Sequence, residues 1–283
     1  MGRVTARFPV TRMTVGETVT STRRPDSVSA EEPLEIRVNG TPLAVTMRTP
    51  GADVELAHGF LLTEGVISGV DDVRTARYCD GAVVDDESGQ PQNTYNVLDI
   101  RLRADVPPPA VDPSRNFYTT SSCGVCGKAS IDAIRQQARW PITEDPVVFD
   151  PQVLVALPDR LRERQRTFDR TGGLHAAALC TTDGEIVHVA EDVGRHNAVD
   201  KVLGAALLAG GVPARGQILV VSGRASFELT QKALMAGVPA LVAVSAPSSL
   251  AVEMALEAGM TLTGFTRPPN MNVYSGADRL TLE

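Results

Sequence analysis

Hydrophobic and polar positions alternate over two stretches near the start of the chain. Leu34, Ile36 and Val38 form the first, and Leu43, Val45 and Met47 form the second, with Asn39-Gly40 between them. Period-two alternation marks a strand with one buried face, and Asn-Gly supplies the positive φ angles of a tight turn, so the segment predicts a β-hairpin. From Asp53 the spacing changes. Leu56, Ala57, Phe60 and Leu61 recur at helical intervals, with Asp53 as the expected N-cap and Gly65 closing the helix, which should cover a small sheet. Beyond a polar loop at Asp85 to Gln92, Asn96 to Leu102 alternates again as a strand. Pro107-Pro108-Pro109 then stiffens the chain into an extended linker, and the domain boundary is expected just after it.

The pattern differs past that boundary. A helix is predicted from about Lys128 to Arg139. Leu174 to Cys180 and Ile186 to Ala190 flank Asp183-Gly184 as a second hairpin, followed by a helix through Val199, Val202 and Leu203 that Gly210 and Gly211 end. Gln217 to Val221, Ala240 to Val244 and Thr261 to Phe265 are short, continuously apolar strands. They are separated by a helix through Leu229, Ala233 and Leu234, with Gly237 at its end, and one from about Leu250 to Ala258. Apolar strands alternating with helices imply a sheet covered on both faces and at least partly parallel. The predicted fold class is therefore α/β, with an α+β N-terminal domain over residues 1–117 and an α/β domain over residues 118–283. Ligands of open α/β sheets gather at the carboxyl ends of strands. Those ends are Ser222-Gly223-Arg224, Ser245-Ala246-Pro247 and Thr266-Arg267-Pro268-Pro269-Asn270, where small hydroxyl residues, an arginine and helix N-termini suit an anion as well as they suit ordinary turns and caps. Neither a P-loop nor a G-x-G-x-x-G fingerprint is present.

Composition narrows the class of partner. In 283 residues, 43% hydrophobic content is enough for a real core, and a net charge of −7 without a long basic block argues against duplex nucleic acid or an anionic membrane surface. No apolar run approaches a spanning helix and the N-terminus lacks the apolar segment of a secretory signal, so the expected location is the cytoplasm, with no membrane partner.

Four cysteines, Cys79, Cys123, Cys126 and Cys180, do not make a disulfide scaffold. Cys123 and Cys126 sit three apart in Ser121-Ser122-Cys123-Gly124-Val125-Cys126-Gly127-Lys128, ahead of the predicted helix. A helix N-terminus and Lys128 both favour thiolate, and Gly124 and Gly127 leave the sulfurs room to meet a donor and then an acceptor. Other readings compete. Structural zinc needs about four ligands, and the other thiols are distant and unpaired, although His175, His188 or His196 could join the pair. A zinc deaminase needs H-x-E, which follows none of the four histidines. A thioredoxin-like protein places its motif after the first strand of a βαβ unit, and incidental thiols on a turn are the bland alternative.

Ser122-Cys123-Gly124-Val125-Cys126-Gly127, Gly172-Gly173-Leu174-His175-Ala176-Ala177, Glu191 to Lys201 (EDVGRHNAVDK) and Ser222-Gly223-Arg224 resemble the motifs of the formate dehydrogenase accessory sulfurtransferases of FdhD type. The likeness extends from Met47 and the Glu55 to Leu61 helix to Asn272-Val273-Tyr274-Ser275. The resemblance implies a sulfur carrier that takes persulfide sulfur from a cysteine desulfurase and passes it to the bis-molybdopterin guanine dinucleotide molybdenum cofactor, which is a bound substrate, before insertion into formate dehydrogenase. It also implies a homodimer, no catalytic metal of the protein's own, and a C-terminal α/β/α domain like that of cytidine deaminases without their zinc. By motif position, Cys123 corresponds to the persulfide-bearing cysteine, with Cys126 relaying sulfur or resolving a mixed disulfide. The guanine-nucleotide contact corresponds to Phe265, Thr266, Arg267, Pro268, Pro269 and Asn270, with Pro269 and Asn270 standing where the family pattern has a glycine and a second basic residue. No role attaches to Asp192, Arg195 or His196 at this stage; they could hold the cofactor, hold a neighbouring loop, or form a solvated cap. The alternatives to a covalent carrier are a cofactor-binding chaperone and a dithiol redox protein.

Overall fold

The computed structural model describes residues 4–79, 84–85, 91–92, 96–107 and 138–281. Cys123, Cys126, the 117/118 boundary and most of the helix expected from Lys128 lie outside them, and Ala138 and Arg139 are not helical.

The chain opens with two hairpins. Strands β1 (Thr5–Val15) and β2 (Val19–Ser29) pair over their full length, from Thr5 opposite Ser29 to Val15 opposite Val19. Residues 11–26 of this ribbon are all exposed. The second hairpin, β3 (Glu32–Val38) and β4 (Thr41–Arg48), has Asn39 and Gly40 at φ 52° and 83° in its turn, as the sequence demands. It joins β5 (Val73–Tyr78) and β8 (Val97–Leu102) in a four-stranded sheet of order β4-β3-β8-β5, with β3 and β8 parallel. Two short strands between them, β6 (Val84–Asp85) and β7 (Pro91–Gln92), pair with each other and bring together the ends of the expected polar loop.

Helix α1 (Asp53–Thr63) follows β4. Its N-cap is Ala52, at φ 53°, and not Asp53 as the sequence suggested. The Asp53 carboxylate is taken instead by buried Arg48, whose Nε and Nη2 each donate to it at 3.0 Å, while the Tyr78 hydroxyl donates at 3.1 Å. A buried guanidinium needs a counter-charge more than one backbone N–H needs a cap.

The second part is built on a six-stranded sheet of order β10-β9-β11-β12-β13-β14. Its strands are β9 (His175–Cys180), β10 (Ile186–Asp192), β11 (Ile218–Val221), β12 (Ala240–Ala243), β13 (Thr261–Arg267) and β14 (Asn270–Ser275). The three central strands β11, β12 and β13 are parallel and the flanking pairs antiparallel. Ala177, Leu179, Leu219, Val221, Leu241 and Ala243 enter one apolar cluster, whereas Ala176, Ala178, Ile218, Val220, Ala240 and Val242 enter another. Alternate residues thus feed opposite faces, and both faces are covered. On one side lie α4 (Arg195–Leu208), α5 (Phe227–Met235) and α6 (Ser249–Ala258); on the other lies α2 (Pro151–Arg162), through Leu154, Leu157 and Leu161. A short helix α3 (Arg166–Thr171) leads into β9, its first amides held by the Glu191 carboxylate at 2.9 and 2.7 Å.

One cluster is common to both sheets, because Leu34, Ile36, Leu98 and Ile100 pack with α1 and α4. α1 does cover the small sheet, but its main partner is α4. The two helices meet at Gly59 and Gly204, where a Cβ on Gly204 would run into the Glu55 carbonyl and one on Gly59 into the Asp200 carbonyl. Buried ion pairs flank the crossing. Lys232 Nζ contacts both Asp200 oxygens at 2.8 and 2.9 Å, and the Thr63 hydroxyl donates to the same carboxylate. Lys201 Nζ lies 2.7 Å from Asp192 and donates to the Thr49 carbonyl at 2.8 Å. No helix of the described residues is long and apolar enough to cross a membrane.

Candidate functional site

The carboxyl ends of the parallel strands form one continuous edge, stitched by backbone. The Ser245 amide donates to the Gly223 carbonyl (3.2 Å), the Ser248 amide to that of Ala225 (2.9 Å), and the Phe265 amide to that of Ser245 (3.3 Å). Ser226 and Ser248 cap α5 and α6, accepting from Leu229 and Ala251 amides, so both helices begin here.

At one end of the edge, β13 turns into β14 with Arg267 opposite Asn270, so Pro268 and Pro269 form a two-residue tip. Gly264 has no room for a side chain; a Cβ would meet Pro247 Cδ at 2.9 Å and the Ser245 carbonyl at 3.0 Å. The next residue, Phe265, takes φ 50°, an unusual conformation for a bulky side chain, and leaves its ring 49% exposed. Arg267, Pro268, Pro269 and Asn270 are exposed as well. Thr266 differs from its neighbours: it is buried, and its hydroxyl is 3.0 Å from that of Thr263. The six candidate contacts are therefore a contiguous tip with one inward anchor.

The other end was not legible as a site from spacing alone. β9 runs antiparallel to β11 and β10 antiparallel to β9, so the first residue of β9, His175, and the last of β10, Asp192, pair with each other at this same edge. Here Asp192 holds a neighbouring loop: it is fully buried, accepting from the Thr49 amide (3.1 Å), the Gly194 amide (2.8 Å) and Asn197 Nδ2 (3.0 Å) besides Lys201. Arg195 and His196, the first residues of α4, have a different environment. His196 Nε2 lies 2.5 Å from Glu228 Oε2 of α5, and the Nε atom of half-buried Arg195 is enclosed with no hydrogen-bond partner. The His175 ring faces Gly223, where a Cβ would be 3.5 Å from Nδ1. Burial lowers the His175 pKa, and the charges of Arg195 and His196 lower it further. Contact with His196 holds the Glu228 carboxyl below its ordinary value. The signal that could have found this group was topological, since one hairpin returns the chain to the edge that the parallel strands define.

Cys79 and Cys180 are free. Burial pushes the Cys180 thiol up to about 12, which makes it a packing residue and not a nucleophile at neutral pH. Among the described residues, no three His, Cys, Asp or Glu side chains gather as a metal site would require.

Comparison with known proteins assigns the chain. The FdhD/NarQ family model matches residues 29–281. The chain belongs to that family. Its curated relatives include the sulfur carrier protein FdhD of Streptomyces avermitilis, 58% identical over 100% of this chain and 98% of the relative. That of Streptomyces coelicolor is 59% identical over the same shares, and that of Mycobacterium tuberculosis 55% identical over 99% of this chain and all of its own. The fold is also that of a crystal structure described as a formate dehydrogenase accessory protein from Desulfotalea psychrophila, with a TM-score of 0.71 and 20% identity, covering 99% of this chain and 100% of that one. The family match begins at residue 29, where the β1–β2 ribbon ends.

Proposed function

We propose that the chain is a sulfurtransferase acting through a cysteine persulfide. The observation that supports this most directly is its full-length similarity to relatives named sulfur carrier proteins. In this reading the Cys123 thiolate attacks the outer sulfur of a persulfide on a cysteine desulfurase. The desulfurase S–S bond breaks, its cysteine leaves as thiolate, and a persulfide remains on Cys123. The Cys126 thiolate then attacks the inner sulfur of that persulfide, so the S–S bond breaks and the outer sulfur passes at the sulfide level to the bis-molybdopterin guanine dinucleotide cofactor, while a Cys123–Cys126 disulfide forms that an external thiol reduces by exchange. The cofactor is the substrate, and its guanine lies against the Phe265 to Asn270 tip. An exposed aromatic ring beside Arg267, at the carboxyl edge of parallel strands, has the chemistry to stack on a base and meet its phosphate. The loaded cofactor goes to formate dehydrogenase in the cytoplasm, and the carrier works as a homodimer.

Intact-mass measurement after incubation with a desulfurase and cysteine tests the reading. A gain of about 32 Da, one sulfur atom, that vanishes in Cys123→Ala is the expected result. No gain with an active donor would leave a cofactor-holding chaperone as the better account.

A further inference from the structure

We propose that the β1–β2 ribbon is an arm that crosses to a second copy of this chain and seats on the outer face of that copy's α6. The proposal rests on the homodimer reading above and adds to it the surface by which one copy holds the other. The residues matched by the family model begin at 29, so the arm is built from the segment that precedes them.

The strand register decides which ribbon side chains act together. Residues directly opposite in an antiparallel pair share a face, and successive pairs alternate between the two faces. One face therefore carries Arg7, Pro9 with Pro25, Arg23, Met13, and Val15 with Val19. Its three large apolar side chains, Met13, Val15 and Val19, are each more than half exposed. No acid stands on this face, because Asp26 is opposite Phe8 on the other one and Glu17 lies in the turn between the strands. A basic and apolar face on a ribbon that has no cover of its own calls for an acidic and apolar partner surface.

Helix α6 presents such a surface. Glu253, Leu256 and Glu257 are exposed and lie three and four positions apart, which puts them on one side of the helix. Among the described residues outside the ribbon, Leu256 is the most exposed large apolar side chain, at 59%. Two copies that each carry a formal charge of −7 repel when acid meets acid, and the ribbon arginines placed against Glu253 and Glu257 reverse that. The ribbon is tied to its own body through Ser29 and Thr171 near its base, while residues 11–26 are all exposed, so the arginine at 23 and the apolar tip extend away from the chain that carries them.

Area favours a copy over an unrelated protein. From Arg7 to Val15 the ribbon is about 30 Å long and about 10 Å wide, so one face covers about 300 Å². Docked once on a single partner it would bury about 600 Å² in all, short of the ~1,000 Å² that a specific interface needs. A two-fold pair makes the same contact twice and reaches about 1,200 Å², the lower bound for a stable complex.

Sedimentation velocity on the full chain over a range of concentrations tests the arm, with circular dichroism confirming that each variant is folded. The wild type should dimerise. Arg23→Glu and Glu257→Arg should each weaken the dimer at least about tenfold, and the two combined should recover most of that loss, because opposite charges then face one another again. Met13→Glu is a second ribbon variant and should weaken the dimer as well. Weakening by the ribbon variants that neither Glu257→Arg nor Glu253→Arg reproduces keeps the arm and overturns its seat on α6. A wild-type dimer that neither ribbon variant weakens overturns the arm and leaves the homodimer reading standing. A wild type that stays monomeric at every concentration overturns both and leaves the ribbon face to a different protein.

Discussion

The two hairpins that open the chain follow one another directly and use the same antiparallel pairing, but they stand in opposite surroundings. In β3–β4 the inward positions Leu34, Ile36 and Val38 are almost fully buried, the turn backbone is tied to Asp99, and α1 closes over the sheet. In β1–β2, Phe8, Met13, Val15 and Val19 are each more than half exposed, and the ribbon touches the body near its base, where Ser29 Oγ donates to the Thr171 hydroxyl at 2.9 Å. Pairing is unbroken in β1–β2 and interrupted by a bulge in β3–β4, where Leu43 has no opposite residue, so the pairing is not what distinguishes a stable hairpin from a dependent one. What differs is whether one face has apolar cover, and a two-stranded ribbon without cover is marginal on its own.

The largest effect that would break this contrast lies where the covered hairpin is locked to the second sheet. Gly204→Ala forces a methyl into the Glu55 carbonyl at the α1–α4 crossing, and a loss of roughly 3 kcal/mol or more is expected by urea denaturation. A near-normal midpoint would show that the helices can separate without harm. Breaking the adjacent ion pair with Lys232→Ala strands the Asp200 carboxylate in the core and should cost roughly 3–5 kcal/mol; Asp200→Asn made in the same background should recover part of it. Within the hairpins, in protein dilute enough to be monomeric, Ile36→Ala should lose about 2–5 kcal/mol, whereas Met13→Ala should stay within about 0.5 kcal/mol of wild type. Similar losses at the two positions would mean that the ribbon is covered by its own chain.

A smaller effect comes from pH. His58 is buried on α1 with Nδ1 2.7 Å from the Val54 carbonyl, and burial lowers its pKa from the ordinary 6.5. A base whose folded pKa is depressed contributes stability above its unfolded pKa and loses it as pH falls toward the folded value. The protein should therefore hold its stability above pH 6.5 and lose it progressively below, and His58→Gln should flatten that slope. His175 and His188 shift in the same direction, so part of the slope should persist.

The covered hairpin was legible because alternation and an Asn-Gly turn state the same answer twice. The C-terminal strands and helices were legible for a similar reason, each short apolar run being bounded by glycine. The β1–β2 ribbon was not: each of its strands carries a proline, Pro9 opposite Pro25, and Arg and Ser interrupt the Thr and Val positions that favour a strand. Helix α2 also escaped, although Asp150-Pro151 is a sound N-cap and first position, because Pro158 inside it reads as a breaker. The Phe265 to Asn270 tip could be placed from the strand-end rule. The His175, Arg195 and His196 group could not, since its members are 20 or more residues apart in part and acquire a common location only when β9 and β10 fold back beside β11.

The glycine crossing also sets an order of events. Gly59 and Gly204 are 145 residues apart in sequence. On a ribosome adding about 5–20 residues per second, the first helix must wait roughly 7–30 s for its partner to be made. During that interval Leu56, Phe60 and Leu61 have no α4 to rest on, and a chaperone has time to find them. Once the partner emerges, the closing contact is a long-range one, the kind that makes folding slow. Newly made chains should thus depend on chaperones most while the second half is still being translated.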